Sequence, residues 1–401
     1  MKVDFFQGIK AKQWAILGAI SIAVIYFAVK IFMQFTFVPM NSDVPSHCYF
    51  AVVADADWHL YPANFGLYFA VNVIRHILPE LEYMHGQMYA MVILLSLSVG
   101  IKWLLSTLFI RQIFMNKGLT VPLSVSITLG VLLLSVFAIP YRYIAGDNFY
   151  YIGSFVPVVW HNSTIIASIP FSILLFWLSA KELECPNRKR VAWICLVVFL
   201  LVCIKPSYIF AYSLGFPLLF LIRYGLKVKY WIHYLPVALS GIFVILQWWL
   251  LFVLNTCSFD NSTVVFSPFL YWESISTISK LPLALSASVL APILALFAIE
   301  KQKDWTALYA TVILAVSIMM YLCISEGGAR FNAGNFYWQV VPATYIFFLV
   351  SLPSLVSGYM NFSASSVTKR IIVVVTTLLY IAHVASGAYY IKFIFDTNNY
   401  L

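Results

Sequence analysis

The sequence predicts an all-α, polytopic integral membrane protein, and three observations carry that prediction. Hydrophobic residues make up 62% of the 401-residue chain and charged residues only 10%, against about a quarter charged in soluble domains. Apolar stretches of about 17 to 25 residues, the length that crosses a hydrocarbon core, recur along the whole chain. Basic residues gather in alternate connecting loops, as the positive-inside rule requires of a chain that crosses back and forth.

The opening, MKVDFFQGIKAKQW, leads into an apolar run from Ala15 to Phe37. That run is too long for a signal-peptide core and has no small-residue cleavage site behind it. It reads as a retained first span, 14–37. Further spans are expected near 86–110, 119–140, 163–180, 191–204, 208–222, 230–255, 281–299, 306–324, 339–358 and 371–390, about eleven in all. Spans 191–204 and 208–222 are short and flank Lys205-Pro206-Ser207. There the proline ends a helix, and the lysine calls for water or an anion.

Orientation follows from the basic residues. The segments 2–12, 111–117, 181–190, 223–229, 301–303 and 369–370 hold sixteen of the twenty-four. They mark the cytoplasmic face and put the N-terminus there. The net charge of +9 is therefore a topology signal, and no nucleic-acid partner is expected. Carboxylates sort the other way, with Asp43, Asp55, Asp57, Glu80, Glu82, Asp147, Asp260, Glu273, Glu326 and Asp396 outside.

The cytoplasmic loops are short connectors. The outer loops 38–85, 141–162, 257–280 and 325–338 are longer and rich in aromatic, Asn, Asp and Gly residues, and loops of that length between helices are usually functional. Within the first, NFGLYFAVNVIRHILPEL has an apolar side and a polar side, which suits a helix lying in the interface plane. No soluble domain and no strong repeat is visible, so residues 1–401 read as a single transmembrane domain. The six cysteines show no paired metal spacing. A Cys48–Cys257 disulfide on the outer side is conceivable, and the remaining cysteines read as apolar packing groups.

The aspartate just past the first span, the interfacial helix and the scattered outer charges resemble the C-type membrane glycosyltransferases (GT-C), which use polyprenyl-phosphate-linked sugars. The residues that carry the resemblance are SDVPSHCYFA (42–51), WHLYPANFGLYFAV (58–71), KPS (205–207) and SPFLYW (267–272). VWHNST (159–164) and EGGARFNAGNFYW (326–338) look like blocks in bacterial cell-envelope membrane proteins grouped with sugar transferases. Bacterial O-antigen polymerases share the length, the span number and the charged outer face. The resemblance implies a GT-C-like fold in the bacterial inner membrane with its active site facing the periplasm. It implies a glycosyltransferase of O-antigen or other surface polysaccharide synthesis, including lipopolysaccharide. Its partners would be membrane lipids, polyprenyl-phosphate or pyrophosphate-linked sugars and a glycan acceptor.

Glycosyl transfer from a lipid phosphate to a hydroxyl needs a carboxylate to take the acceptor proton and a cation to stabilise the leaving phosphate. Both must stand at headgroup level. Asp43 is at that level by position and is the expected base; as alternatives it is a solvated loop acid or a helix N-cap. Arg330 is the leading cation, in a Gly-rich loop where bare backbone can approach a phosphate. Glu326 and Asn335 in the same block join it as substrate-contacting candidates. Lys205 is the second cation, and Arg142 and His161 follow. Each of these has a plainer reading, as a snorkelling side chain, an ion pair with Glu326 or Asp147, or a cap at Asn162.

His47 and His59 would orient Asp43 or contact a phosphate, the plainer reading being loop histidines with no chemical role. Asp55 and Asp57 would suit substrate or a divalent cation, with a solvated turn the favoured reading. No metal and no other cofactor is expected. The outer aromatics read mainly as an interfacial belt, some of them facing sugars. The competing functions are a polysaccharide polymerase joining lipid-linked repeat units, a flippase for lipid-linked glycans, and a membrane acyltransferase.

Overall fold

The structure is a computed structural model that describes residues 9–38, 42–57, 59, 64–79, 81, 84–139, 153–252, 263–299 and 304–398. Arg142, Asp147 and Cys257 lie outside the described residues, so the expected roles of Arg142 and of the Cys48–Cys257 pair fall there too. Among the described residues Cys48 has no disulfide partner, and burial pushes its thiol up to about 12.

Among the described residues, nine helices are long and apolar enough to cross a membrane. Each of the eleven expected spans coincides with helix, but two of them fall short of that length. The architecture is thus the all-α, polytopic one the composition predicts.

The first span forms helix α1 (Ala11–Phe37). Two short helices follow, α2 (Val44–Ala56) and α3 (Phe65–Ile77), before α4 (His85–Asn116) runs back along α1. Pro45 stands in the first turn of α2, where its missing N–H costs nothing. Helix α3 covers the stretch expected to lie in the interface plane. Phe65, Phe69, Val73 and Ile77, spaced at i, i+4, leave one apolar stripe exposed, while Leu67, Tyr68 and Val71 are buried. Three polar contacts tie α3 to α2. The Asn72 amide donates to the Ala51 carbonyl (3.0 Å), His47 Nδ1 meets the Tyr68 hydroxyl (2.7 Å), and His76 Nε2 meets Asp55 (2.9 Å).

The expected span 119–140 needs correction. Helix α5 covers only Leu123–Leu132, and residues 136–139 run non-helically through the interior. Irregular backbone is tolerated at membrane depth only where protein satisfies it. Here Phe137 N and Ile139 N donate to the carbonyls of His383 and Ala287, while His383 Nδ1 and Ser386 Oγ reach the carbonyls of Phe137 and Ala138.

Helix α6 (Ser163–Glu184) and helix α13 (Val340–Met360) form the centre of the bundle, each with 89% of its most apolar window buried against 28% for α1. Between them in sequence come α7 (Arg188–Ile204), α8 (Ser207–Tyr224), a 3-10 segment (Val228–Tyr234) and α9 (Leu235–Phe252). Strand β1 (Val264–Phe266), α10 (Leu270–Ile275), α11 (Leu281–Ile293) and α12 (Trp305–Cys323) follow. Strand β2 (Ile324–Glu326) pairs antiparallel with β1, with Val264 opposite Glu326. A 3-10 segment (Gly328–Ala333) leads to α13, and α14 (Val367–Thr397) closes the chain.

Polar contacts between distant segments join residues that the alternating span assignment puts on one face. His161 reaches Tyr390, and Tyr337 donates to Ser154, at the outer ends. Lys117 reaches Ser354 and Asp304, and Thr306 donates to Glu184, at the inner ends.

The inner end also holds a buried ionic cluster. Glu182, fully buried, accepts from Arg190 Nη1 (2.7 Å), from the Asn187 backbone (2.8 Å) and from His233 Nδ1.

Candidate functional site

The outer site is assembled from three places where helices stop. Asp43 occupies the N-cap position of α2, in αR backbone, and its side chain makes no capping hydrogen bond. The N-cap alternative therefore holds for its position only. Oδ2 lies 3.6 Å from His47 Nε2, one helical turn on, and Oδ1 is buried without a hydrogen-bond partner among the described residues. His47 is held in turn by the Tyr68 hydroxyl and lies stacked on that ring, at 5.8 Å between centroids. Helix α3 thus fixes the imidazole that faces the carboxylate.

Lys205 stands at the break between α7 and α8. The residue before a proline is driven into extended backbone, and Lys205 adopts φ −164°, ψ 115°, its N–H still closing the last turn of α7 on Leu201 O (2.7 Å). Among the described residues its ammonium makes no ion pair and lies over the Trp338 ring, 5.6 Å from the centroid. Gly66 of α3 packs against this break: a Cβ there would come within 2.9 Å of Cys203 Cβ.

The third component is the segment from β2 to α13. Glu326 ends β2 and accepts from the Asn335 amide (2.5 Å). Gly328 (φ 71°) and Gly334 (φ 56°) take left-handed turns on either side of Arg330, and a Cβ on Gly334 would strike the Tyr271 hydroxyl at 2.3 Å. Trp338 joins the parts, with Lys205 over its face and the His161 ring meeting it edge-on at 5.9 Å.

Electrostatics show that these groups share one neighbourhood. Burial pushes Lys205 down to about 8; the Asp43 and Glu326 carboxylates pull it up and the Arg330 guanidinium pushes it down. Burial likewise pushes His161 down to about 4, against an upward pull from Asp43. His161 is therefore neutral at pH 7, with Nδ1 3.4 Å from the Tyr390 hydroxyl. Asn162, its neighbour, carries the capping role instead, accepting from Ile165 N (3.0 Å).

Of the expected residues, Asp43, His47, Lys205, His161, Arg330, Glu326 and Asn335 come together. Asp55 and Asp57 do not act as a pair. Asp55 binds His76, whereas Asp57 holds the backbone and ring of His59 (both 2.9 Å), contacts that keep its carboxyl below the usual range. No group of three His, Cys, Asp or Glu suited to a metal occurs among the described residues.

Sequence reasoning did not single out Trp338 or Tyr68. Trp338 is one of the outer aromatics read as a belt, and the i, i+4 spacing of Asp43 and His47, which the sequence reading did not use, is the signal that could have led to Tyr68. No protein-family profile matches the chain, and no curated protein matches it.

Proposed function

We propose that this protein is a membrane glycosyltransferase that takes a sugar from a polyprenyl-phosphate carrier at the periplasmic face of the bacterial inner membrane, in the synthesis of O-antigen or another surface polysaccharide. Asp43 takes the proton of the acceptor hydroxyl. The acceptor oxygen attacks the anomeric carbon, and the bond from that carbon to the carrier's phosphate oxygen breaks. The negative charge arrives on the lipid phosphate, beside Lys205 and Arg330, and Trp338 offers a face for the sugar. The roles of the other convergent residues are to orient: His47 holds Asp43, and Asn335 holds Glu326.

The observation that carries the reading is the electrostatic convergence on Lys205. A half-buried ammonium with no ion pair among the described residues is costly. A phosphate arriving at headgroup level would remove that cost. The test is a deletion strain complemented with Asp43→Asn or Arg330→Ala, with lipid-linked intermediates and surface glycan measured together. Loss of one sugar from the repeat unit is the expected result. Accumulation of complete single units would identify a polymerase instead, and full glycan synthesis by both variants would overturn the assigned roles.

One observation favours transport of a lipid-linked glycan as a second reading. Lys102, in the middle of α4, is buried and its ammonium lies 4.1 Å from the Tyr345 ring centroid, and ionisable groups at such depth usually mark a substrate or ion path. Carrier-linked glycan crossing proteoliposome membranes without bond chemistry would establish that reading.

A further inference from the structure

At the cytoplasmic end, away from the outer site, the first turn of α1, the last turns of α4 and the start of α5 enclose a cleft of about 570 Å³, within the roughly 300–1,000 Å³ typical of ligand sites. Helices α1 and α5 both pack on α4, and the cleft lies between them. Its floor is the α4–α5 turn. Gly118 takes φ +67° there, and Gly118 N and Leu119 N close the helix on Met115 O and Phe114 O, the left-handed ending that favours glycine.

The lining is two-natured. Arg111 and Gln13 supply a cation and an amide, whereas Phe114, Met115, Leu119 and Val121 supply apolar walls. Arg111 stands little more than one turn from the end of α4, the end that the basic loop residues assign to the cytoplasmic face. A soluble anion would use only the polar part of such a lining. A molecule with a phosphodiester and an acyl chain would use both.

We infer that this cleft binds an anionic glycerophospholipid of the cytoplasmic leaflet, its phosphate on Arg111 and its first methylenes against Phe114 and Leu119. Basic pockets between spans on this side suit such headgroups. The inference does not rest on the proposed glycosyl transfer.

The test is native mass spectrometry of the full-length protein released from nanodiscs of mixed phosphatidylglycerol and phosphatidylcholine. The wild type retains phosphatidylglycerol in preference, and Arg111→Gln lowers that retention about fivefold. Lys117→Gln, at the same edge but directed to Asp304 (3.9 Å) and Ser354 (3.1 Å), leaves it unchanged. Leu119→Trp, which fills the cleft and keeps every charge, also lowers retention, with the unfolding temperature monitored for both variants. Equal retention by Arg111→Gln and wild type, equal losses in the Arg111 and Lys117 variants, or no preference over phosphatidylcholine would each overturn the inference. Displacement of the lipid by millimolar glycerol phosphate would overturn it in favour of a soluble phosphate ligand.

Discussion

The two ends of the bundle handle buried charge in opposite ways. At the inner end, Glu182 is fully buried and receives Arg190, His233 and a backbone N–H, so both of its carboxylate oxygens are partnered, while Arg190 Nε has no hydrogen-bond partner among the described residues. At the outer end, Asp43 keeps its histidine at 3.6 Å with one oxygen unpartnered among the described residues, and Lys205 rests on an aromatic face. Both clusters contain a carboxylate, a histidine and a cation. The difference lies at the carboxylate: one with both oxygens partnered holds helices together, while one with a bare buried oxygen retains free energy that a ligand can release.

That comparison can be broken by substitution. Asp43→Asn should lower sugar transfer about 10²- to 10⁴-fold and leave the unfolding temperature unchanged, as read from labelled-sugar transfer in membranes and melting in detergent. A melting loss with transfer intact would make Asp43 structural. Glu182→Ala should do the reverse, lowering stability by about 3–5 kcal/mol because Arg190 remains buried without its counter-charge and His233 without its hydrogen-bond partner. Denaturation in detergent checks this, with transfer per folded molecule preserved.

The pH dependence sharpens the contrast further. Lys205 is pushed down to about 8 in the fold and stands near 10.5 when unfolded. Its charge therefore costs the folded state most below pH 8, and that cost fades as pH rises from 8 to 10.5. Phosphate binding needs the charged form, so activity should fall about tenfold between pH 7 and pH 9 while Lys205's contribution to stability improves. Lys205→Arg should move that alkaline limb upward; a profile identical to wild type would remove Lys205 from the site. The smallest effect belongs to Asp57→Asn. Its contacts are made at an exposed surface, so transfer should change less than about threefold, and a larger loss would restore the acid pair to the chemistry.

Much of the fold was legible from residue order. An apolar span must satisfy its backbone within itself, so hydropathy alone located the helices. The stripe Phe65, Phe69, Val73 and Ile77 announced α3. Helix α2 was foreseen only as the alternative in which Asp43 is a helix N-cap, because VPSHCYFAVVADA alternates no clear apolar face. Nor was the end of α5 at Leu132, since nothing in LLLSVFA distinguishes a span from a buried irregular strand; His383, Ser386 and Ala287, far along the chain, supply the partners that permit it. In the site, Asp43, Lys205 and Arg330 were visible as charges at an apolar edge. Trp338 was not, because an aromatic at a membrane interface has an ordinary explanation.

What the residue order determined was the succession of long apolar helices and the break at Lys205-Pro206, since each depends on sums or clashes among neighbours in sequence. Which charges meet was decided by tertiary structure alone. Asp43, Lys205 and Glu326 belong to segments with no local tie to one another, and only the packing of α3 against α7 and of the β2 segment beside Trp338 brings their fields onto one ammonium.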